Sequence, residues 1–241
     1  MENVLFAAIG VGGATLIGSL LGFIFRAQAE KHVCTILSVA AGIMLAAAVT
    51  NLIAPALLGA DIAGVLLVIF GLFAGAGSIY ATERLIPSGS FESSGARSAI
   101  LFAVAMGLHN LPEGIAAGLG FGTGNASDAV MVTVGIALHN IPEGMITIFP
   151  MLSAGVRRRR AFLFAAAGGI AEVLGTFIGY IAAEAARPVL PFALAFAGGT
   201  MLYVVASEMI PEGQASGRRR AAFSLILGYS LMTALGVLLS G

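Results

Sequence analysis

His109-Asn110-Leu111-Pro112-Glu113-Gly114 recurs thirty residues later as His139-Asn140-Ile141-Pro142-Glu143-Gly144, with a single Leu/Ile exchange. A lone histidine among apolar residues is most often a hydrogen-bonded core residue. Two histidines that each carry a glutamate at i+4 and an asparagine at i+1 form a donor set instead. At about 100° per residue on a helix, with the imidazole at 0°, the carboxylate falls near 40° and the amide near 100°. The carboxylate therefore sits between the other two and can bridge two cations, one ligated toward histidine and one toward asparagine. Imidazole, carboxylate and amide oxygen without thiolate suit Zn²⁺, Fe²⁺, Mn²⁺ or Co²⁺ better than Cu⁺, and imidazole argues against Mg²⁺ or Ca²⁺. These ligand types leave the choice among the first-row ions open. Pro112 cannot donate to the carbonyl of Leu108, nor Pro142 to that of Leu138, so a kink is expected in each helix beside its ligands.

The elements that must hold these residues are membrane spans. Of 241 residues, 59% are hydrophobic, 33 are glycine and only 10% are charged, and the mean hydropathy is +1.00. Soluble domains sit near half apolar, so the composition specifies an integral membrane protein. Twelve Lys+Arg balance twelve Asp+Glu, which excludes a nucleic-acid binder working by phosphate neutralisation. Cys34 stands alone, excluding a disulfide scaffold and a thiolate cluster. About 20 apolar residues cross roughly 30 Å of hydrocarbon as a helix. Charge and proline clusters divide the chain into eight such stretches, about 3–25, 34–58, 61–82, 98–120, 128–151, 161–183, 188–210 and 220–240. Their length and their lack of in/out alternation exclude a β-barrel. The expected fold is all-α, one transmembrane bundle over 1–241 with no second domain.

The first stretch has no basic segment before it and is read as a retained helix rather than a cleaved signal peptide. Arg26 and Lys31, Arg84 and Arg97, Arg157 to Arg160, and Arg218 to Arg220 all fall in alternate connections, with only Arg187 opposite. The positive-inside rule puts those four connections in the cytoplasm and both termini outside, as for a multi-pass protein of a cell (inner) membrane. The two arginine runs are read as topology markers, with contact to membrane lipid headgroups as their other use. Runs rich in glycine and alanine, such as GVGGATLIGSLLG and FAAAGGIAEVLG, allow close helix approach.

Both motifs fall near the middle of the fourth and fifth stretches. A carboxylate there costs a few kcal/mol even on lenient insertion scales, and such residues are functional by default. The two stretches run in opposite directions, so His109 can lie level with Glu143 while Glu113 lies level with His139. One site with local two-fold symmetry results, an arrangement typical of transporters. Glu172, in the sixth stretch, is a third midplane carboxylate and a candidate ligand. Glu208, near the cytoplasmic end of the seventh, is either a further ligand or a snorkelling or interface carboxylate, and Glu212 reads as a solvated end. Asn51, in the second, either lines a pathway or bonds a neighbouring helix. The three midplane glutamates carry −3 if ionised, and no Lys or Arg lies inside any stretch to pair with them. One divalent cation leaves −1 and two leave +1, so the counter-charge must come from outside the chain.

On the paired HNxPEG motifs, on AEVLG at 171–175 and on the Glu-x-x-Pro-Glu stretch from Glu208 to Glu212, the chain resembles the ZIP (Zrt/Irt-like protein) metal transporters, most closely their bacterial ZupT-type branch. The resemblance covers nearly the whole chain. It implies a binuclear site halfway across the membrane, with His109, Asn110, Glu113, His139, Asn140, Glu143 and Glu172 in the ligand roles. It also implies that Glu208 lies on the inward exit path and that Asn51 lines the route. Helices 1–3 and 6–8 would be inverted repeats around the 4/5 pair, and an elevator-like shift would carry Zn²⁺, with Fe²⁺, Mn²⁺, Co²⁺ or Cd²⁺ as related cargo, into the cytoplasm. The metal is cargo; no cofactor is implied, and a homodimer is compatible with the reading. The connection 83–97 contains no histidine, unlike the His-rich loop of many family members.

Two other classes compete. An intramembrane zinc hydrolase would use a metal-activated water, but HExxH is absent and each histidine has a symmetric partner set, leaving no asymmetric general base. A channel-like conductor would differ from a carrier in failing to saturate at low metal concentration.

Overall fold

A computed structural model of the chain describes residues 2–24, 26–85, 94–122, 126–183 and 188–240. The expected connection 83–97 lies partly outside them, at 86–93, and so does Arg187. Among the described residues the regular structure is entirely helical. The long helices are α1 (Glu2–Ile24), α2 (Arg26–Ala47), α4 (Ile62–Leu85), α5 (Ser94–Gly122), α6 (Ala126–Ser153), α7 (Arg158–Ile181), α8 (Leu190–Val204) and α10 (Arg218–Ser240). Two are composite. A π-helical segment, Ala48–Ile53, joins α2 to the short α3 (Ala54–Leu57), and a second, Val205–Met209, joins α8 to α9 (Ile210–Gly213).

Six helical stretches are long and apolar enough to cross a membrane: Asn3–Ile24, His32–Leu57, Ile62–Thr82, Arg158–Ile181, Leu190–Gly213 and Arg218–Leu238. α5 and α6, which carry the two motifs, are 29 and 28 residues long. The start of α2 lies before the apolar stretch, and the helix bends where the two meet, at His32 (φ −124°, ψ 17°). α6 ends in a Schellman turn. Gly155 takes φ 81°, and its N–H donates to the carbonyl of Leu152 at 3.1 Å while that of Val156 donates to Met151 at 2.9 Å. The turn sets Arg157 to Arg160 at the start of α7.

α5 and α6 run as continuous helices through Pro112 and Pro142. The π-helical segments lie ahead of Pro55 and Pro211. Each of these two prolines sits in the first turn of the short helix that continues from a π segment, and its missing N–H leaves one bond out of the helical ladder there.

The helices pack in four close pairs: α1 with α6, α5 with α7, α2 with α10, and α4 with α8. The first two pairs also pack on each other and form one group. The other two share a core of Met44, Leu52, Val68, Ile79, Met201 and Met209. Small residues set the spacing. A Cβ on Gly42 of α2 would collide with the carbonyl of Leu225 in α10, and one on Gly199 of α8 with that of Leu72 in α4.

Candidate metal centre

Glu113 and Glu143, both fully buried, each face a histidine of the opposite helix. His109 Nε2 lies 3.1 Å from Glu143 Oε1, and His139 Nε2 lies 3.2 Å from Glu113 Oε1. α5 and α6 run antiparallel, so identical spacings on the two helices bring each imidazole level with the other helix's carboxylate. His139 is further fixed by its Nδ1, which is 3.2 Å from the carbonyl of Gly135 one turn earlier. A ring N–H donated to a carbonyl leaves the other nitrogen as a lone-pair donor toward a cation.

Glu172 of α7 closes the other end of the site. Asn110 Nδ2 donates to its Oε1 at 2.6 Å and Asn140 Nδ2 to its Oε2 at 2.9 Å. Asn140 Nδ2 also donates to the carbonyl of Val11 at 3.3 Å. With both amide nitrogens engaged as donors, Asn110 Oδ1 and Asn140 Oδ1 are buried acceptors without hydrogen-bond partners, as is Glu143 Oε2. Leaving such acceptors unpaired costs about 1–3 kcal/mol each. A cation restores that loss, and amide and carboxylate oxygens are donors it accepts. Ligand atoms of His109, Glu113 and Glu143 lie within 4.8 Å of one another, compact enough to hold one ion.

An eighth residue enters from α1. Thr15 Oγ1 donates to Glu172 at 2.8 Å from Oε1 and 3.0 Å from Oε2. Sequence reading missed it, because a threonine in an apolar helix normally bonds its own backbone. The signal that finds it is a second internal repeat, GGATLIGSLLG at 12–22 and GIAEVLGTFIG at 169–179, which share Gly-x-Ala-x-x-x-Gly-(Ser/Thr)-x-x-Gly. Thr15 and Glu172 occupy the same place in the two copies. Ser19 Oγ donates to the carbonyl of Thr15 at 2.8 Å, and Thr176 Oγ1 to that of Glu172 at 2.9 Å. The final glycine of each HNxPEG motif meets one copy: a Cβ on Gly114 would collide with the carbonyl of Glu172, and one on Gly144 with that of Thr15.

Asn51 and Glu208 are not part of this ring; each lies in one of the two π segments. Asn51 Oδ1 accepts from Thr50 at 3.0 Å, while its Nδ2 is buried without a hydrogen-bond partner and lies 3.6 Å from where a Cβ on Gly135 would stand. Asn51 thus faces the turn of α6 that precedes His139. Glu208 is half-buried.

Residues 87–239 match the profile of the family described as ZIP Zinc transporter. The chain belongs to the ZIP family. It is 31% identical to the zinc transporter ZupT of Chlorobaculum parvum, over 99% of this chain and 98% of the relative. It is 34% identical to the zinc transporter ZIPB of Bordetella bronchiseptica, over 92% of this chain and 78% of the relative. The zinc transporter ZIP11 of Xenopus tropicalis is 41% identical over 58% of this chain, and the match spans 44% of that relative. The long matches to bacterial members place this ZIP chain in the ZupT-like branch.

Proposed function

We propose that this ZIP protein is a carrier rather than an enzyme, moving Zn²⁺ and related first-row divalent ions across a cell membrane into the cytoplasm. The observation that carries the reading is the ring itself: two crossed His/Glu pairs and two buried asparagine oxygens without partners, held by an acidic hub. His109, Glu113, His139 and Glu143 bind one ion in this reading. Asn110 and Asn140 serve a second ion, bridged by the two motif glutamates and completed by Glu172. The names of the bacterial relatives support zinc as the principal cargo, while Fe²⁺, Mn²⁺, Co²⁺ and Cd²⁺ share the ligand chemistry.

α5 and α6, added to the six apolar stretches, complete eight crossings, and the arginine clusters orient both termini outward. Exchanging α1 with α7, α2 with α8, α4 with α10 and α5 with α6 maps the four close helix pairs onto one another. This supports an inverted repeat of the first and last three crossings around the motif pair. All eight ring side chains belong to α1, α5, α6 and α7, which supports an elevator-like shift of that group against the other.

Radiolabelled Zn²⁺ uptake by vesicles containing the purified protein tests the function. Saturable uptake is expected, and Glu143→Ala should abolish it while leaving the thermal melting of the protein intact. Undiminished uptake by Glu143→Ala, or hydrolysis of lipid or peptide without metal flux, would overturn the proposal.

A further inference from the structure

Thr15 is nearly fully buried and aims its hydroxyl at both oxygens of Glu172. Each of those oxygens therefore takes two donors, an asparagine N–H and the threonine hydroxyl. The carboxylate stands at the end of a glutamate side chain, where the last torsion is broad and poorly self-determined. A hydroxyl placed between its two oxygens removes that freedom. The orientation of the carboxylate in turn decides how the Asn110 amide lies and, together with the Val11 carbonyl, how the Asn140 amide lies, because an amide turned the other way would set its oxygen against a carboxylate oxygen. The hydroxyl itself is anchored to the motif helix. The backbone of Thr15 packs on Gly144 of α6, and its carbonyl accepts from Ser19.

We propose that Thr15 is a positioning residue of the metal centre, its hydroxyl orienting Glu172 so that Asn110 and Asn140 present their oxygens to the cation. This rests on the metal-binding reading above and adds α1 to the elements that set affinity. The two-fold repeat makes the role intelligible. Of two equivalent positions, one supplies the charge and the other the hydroxyl that orients it.

The test is titration of the purified full chain with Zn²⁺ in detergent, alongside Zn²⁺ uptake in vesicles, for Thr15→Val and Thr15→Ser. Thr15→Val keeps the side chain's shape and removes the hydrogen bonds to Glu172. Its dissociation constant and KM should rise about tenfold, the worth of a hydrogen bond to a charged group, with the maximal rate near that of wild type. Thr15→Ser should bind within about twofold of wild type. Should the valine variant fail to fold, Thr15→Ala removes the same hydroxyl without adding bulk and is read in the same way. Unchanged affinity without the hydroxyl, or equal loss in the serine variant, overturns the proposal. Wild-type binding without flux would remove the transport reading alone, since the dissociation constants still judge Thr15. A wild-type protein that binds no Zn²⁺ would overturn both.

Discussion

At the scale of single residues, the centre is built so that its polar groups are spent on one another only in part. The histidines and motif glutamates pair crosswise at 3.1 and 3.2 Å, while the two asparagines give their nitrogens to Glu172 and keep their oxygens free. Asn110→Asp separates these two roles. It keeps an oxygen for the metal but puts an acceptor where Glu172 needs a donor, at the 2.6 Å contact. The metal-free variant should lose about 1–3 kcal/mol of stability. Zn²⁺ should recover it, because the added carboxylate binds the cation more tightly than the amide did, and a ligand that binds only the folded state stabilises more the lower its dissociation constant. The rise in melting temperature on adding Zn²⁺ is therefore expected to be larger than in wild type, measured by thermal unfolding in detergent. An equal rise in the two proteins would contradict the geometry. The donor types and their crossing were legible in the sequence, since helical periodicity and antiparallel direction fix both. The hydrogen-bond direction of each amide was not, because it depends on Glu172 and Thr15, which reach the site from two helices remote in sequence.

At the scale of elements, what holds the ring is the closeness of helix backbones. Gly114 lets α5 lie against the Glu172 turn of α7, as Gly144 lets α6 lie against the Thr15 turn of α1. Gly114→Ala drives a methyl into a backbone carbonyl that cannot rotate away. The helices must separate, at a cost of about 1–3 kcal/mol. Gly107→Ala in the same helix meets nothing within 4 Å and should be neutral or stabilising, by up to about 1 kcal/mol, because alanine favours a helix over glycine. Thermal melting of the two variants should move in opposite directions, or at least differ clearly. Equal melting temperatures would mean that the contact at Gly114 does not set the helix spacing. Glycine-rich runs read as packing surfaces from composition alone, but which glycine meets which carbonyl requires the helix pairing. The prolines were the harder case. Sequence locates Pro112 and Pro142 beside the ligands, and the helices continue through both, while the π geometry lies at Ala48–Ile53 and Val205–Met209. A π turn widens the helix by one residue and recurs at functional sites; these two hold Asn51 and Glu208.

At the scale of the molecule, the two helix groups differ in what they carry. The ring belongs wholly to α1, α5, α6 and α7, and the other group packs on these helices chiefly through α8 against α5 and α2 against α6, with the π segment at Asn51 standing opposite Gly135. If the site travels by a shift of its group, that packing must change during each cycle, and a covalent tie across it must stop transport. Asn51→Cys with Gly135→Cys, in a Cys34→Ser background, supplies the tie: the Asn51 side chain ends 3.6 Å from where a Cβ on Gly135 would stand. A disulfide requires Cβ atoms about 4 Å apart; the Asn51 Cβ stands farther than that from the Gly135 position, so closing the bond draws the two backbones together. The reduced double variant should take up Zn²⁺, and oxidation should lower uptake by about tenfold or more, a barrier increase of about 1.4 kcal/mol or more. Dithiothreitol should restore it. Full uptake by quantitatively cross-linked protein would show that the ion passes without relative motion of the two groups, and would favour a channel-like path between α6 and the first π segment.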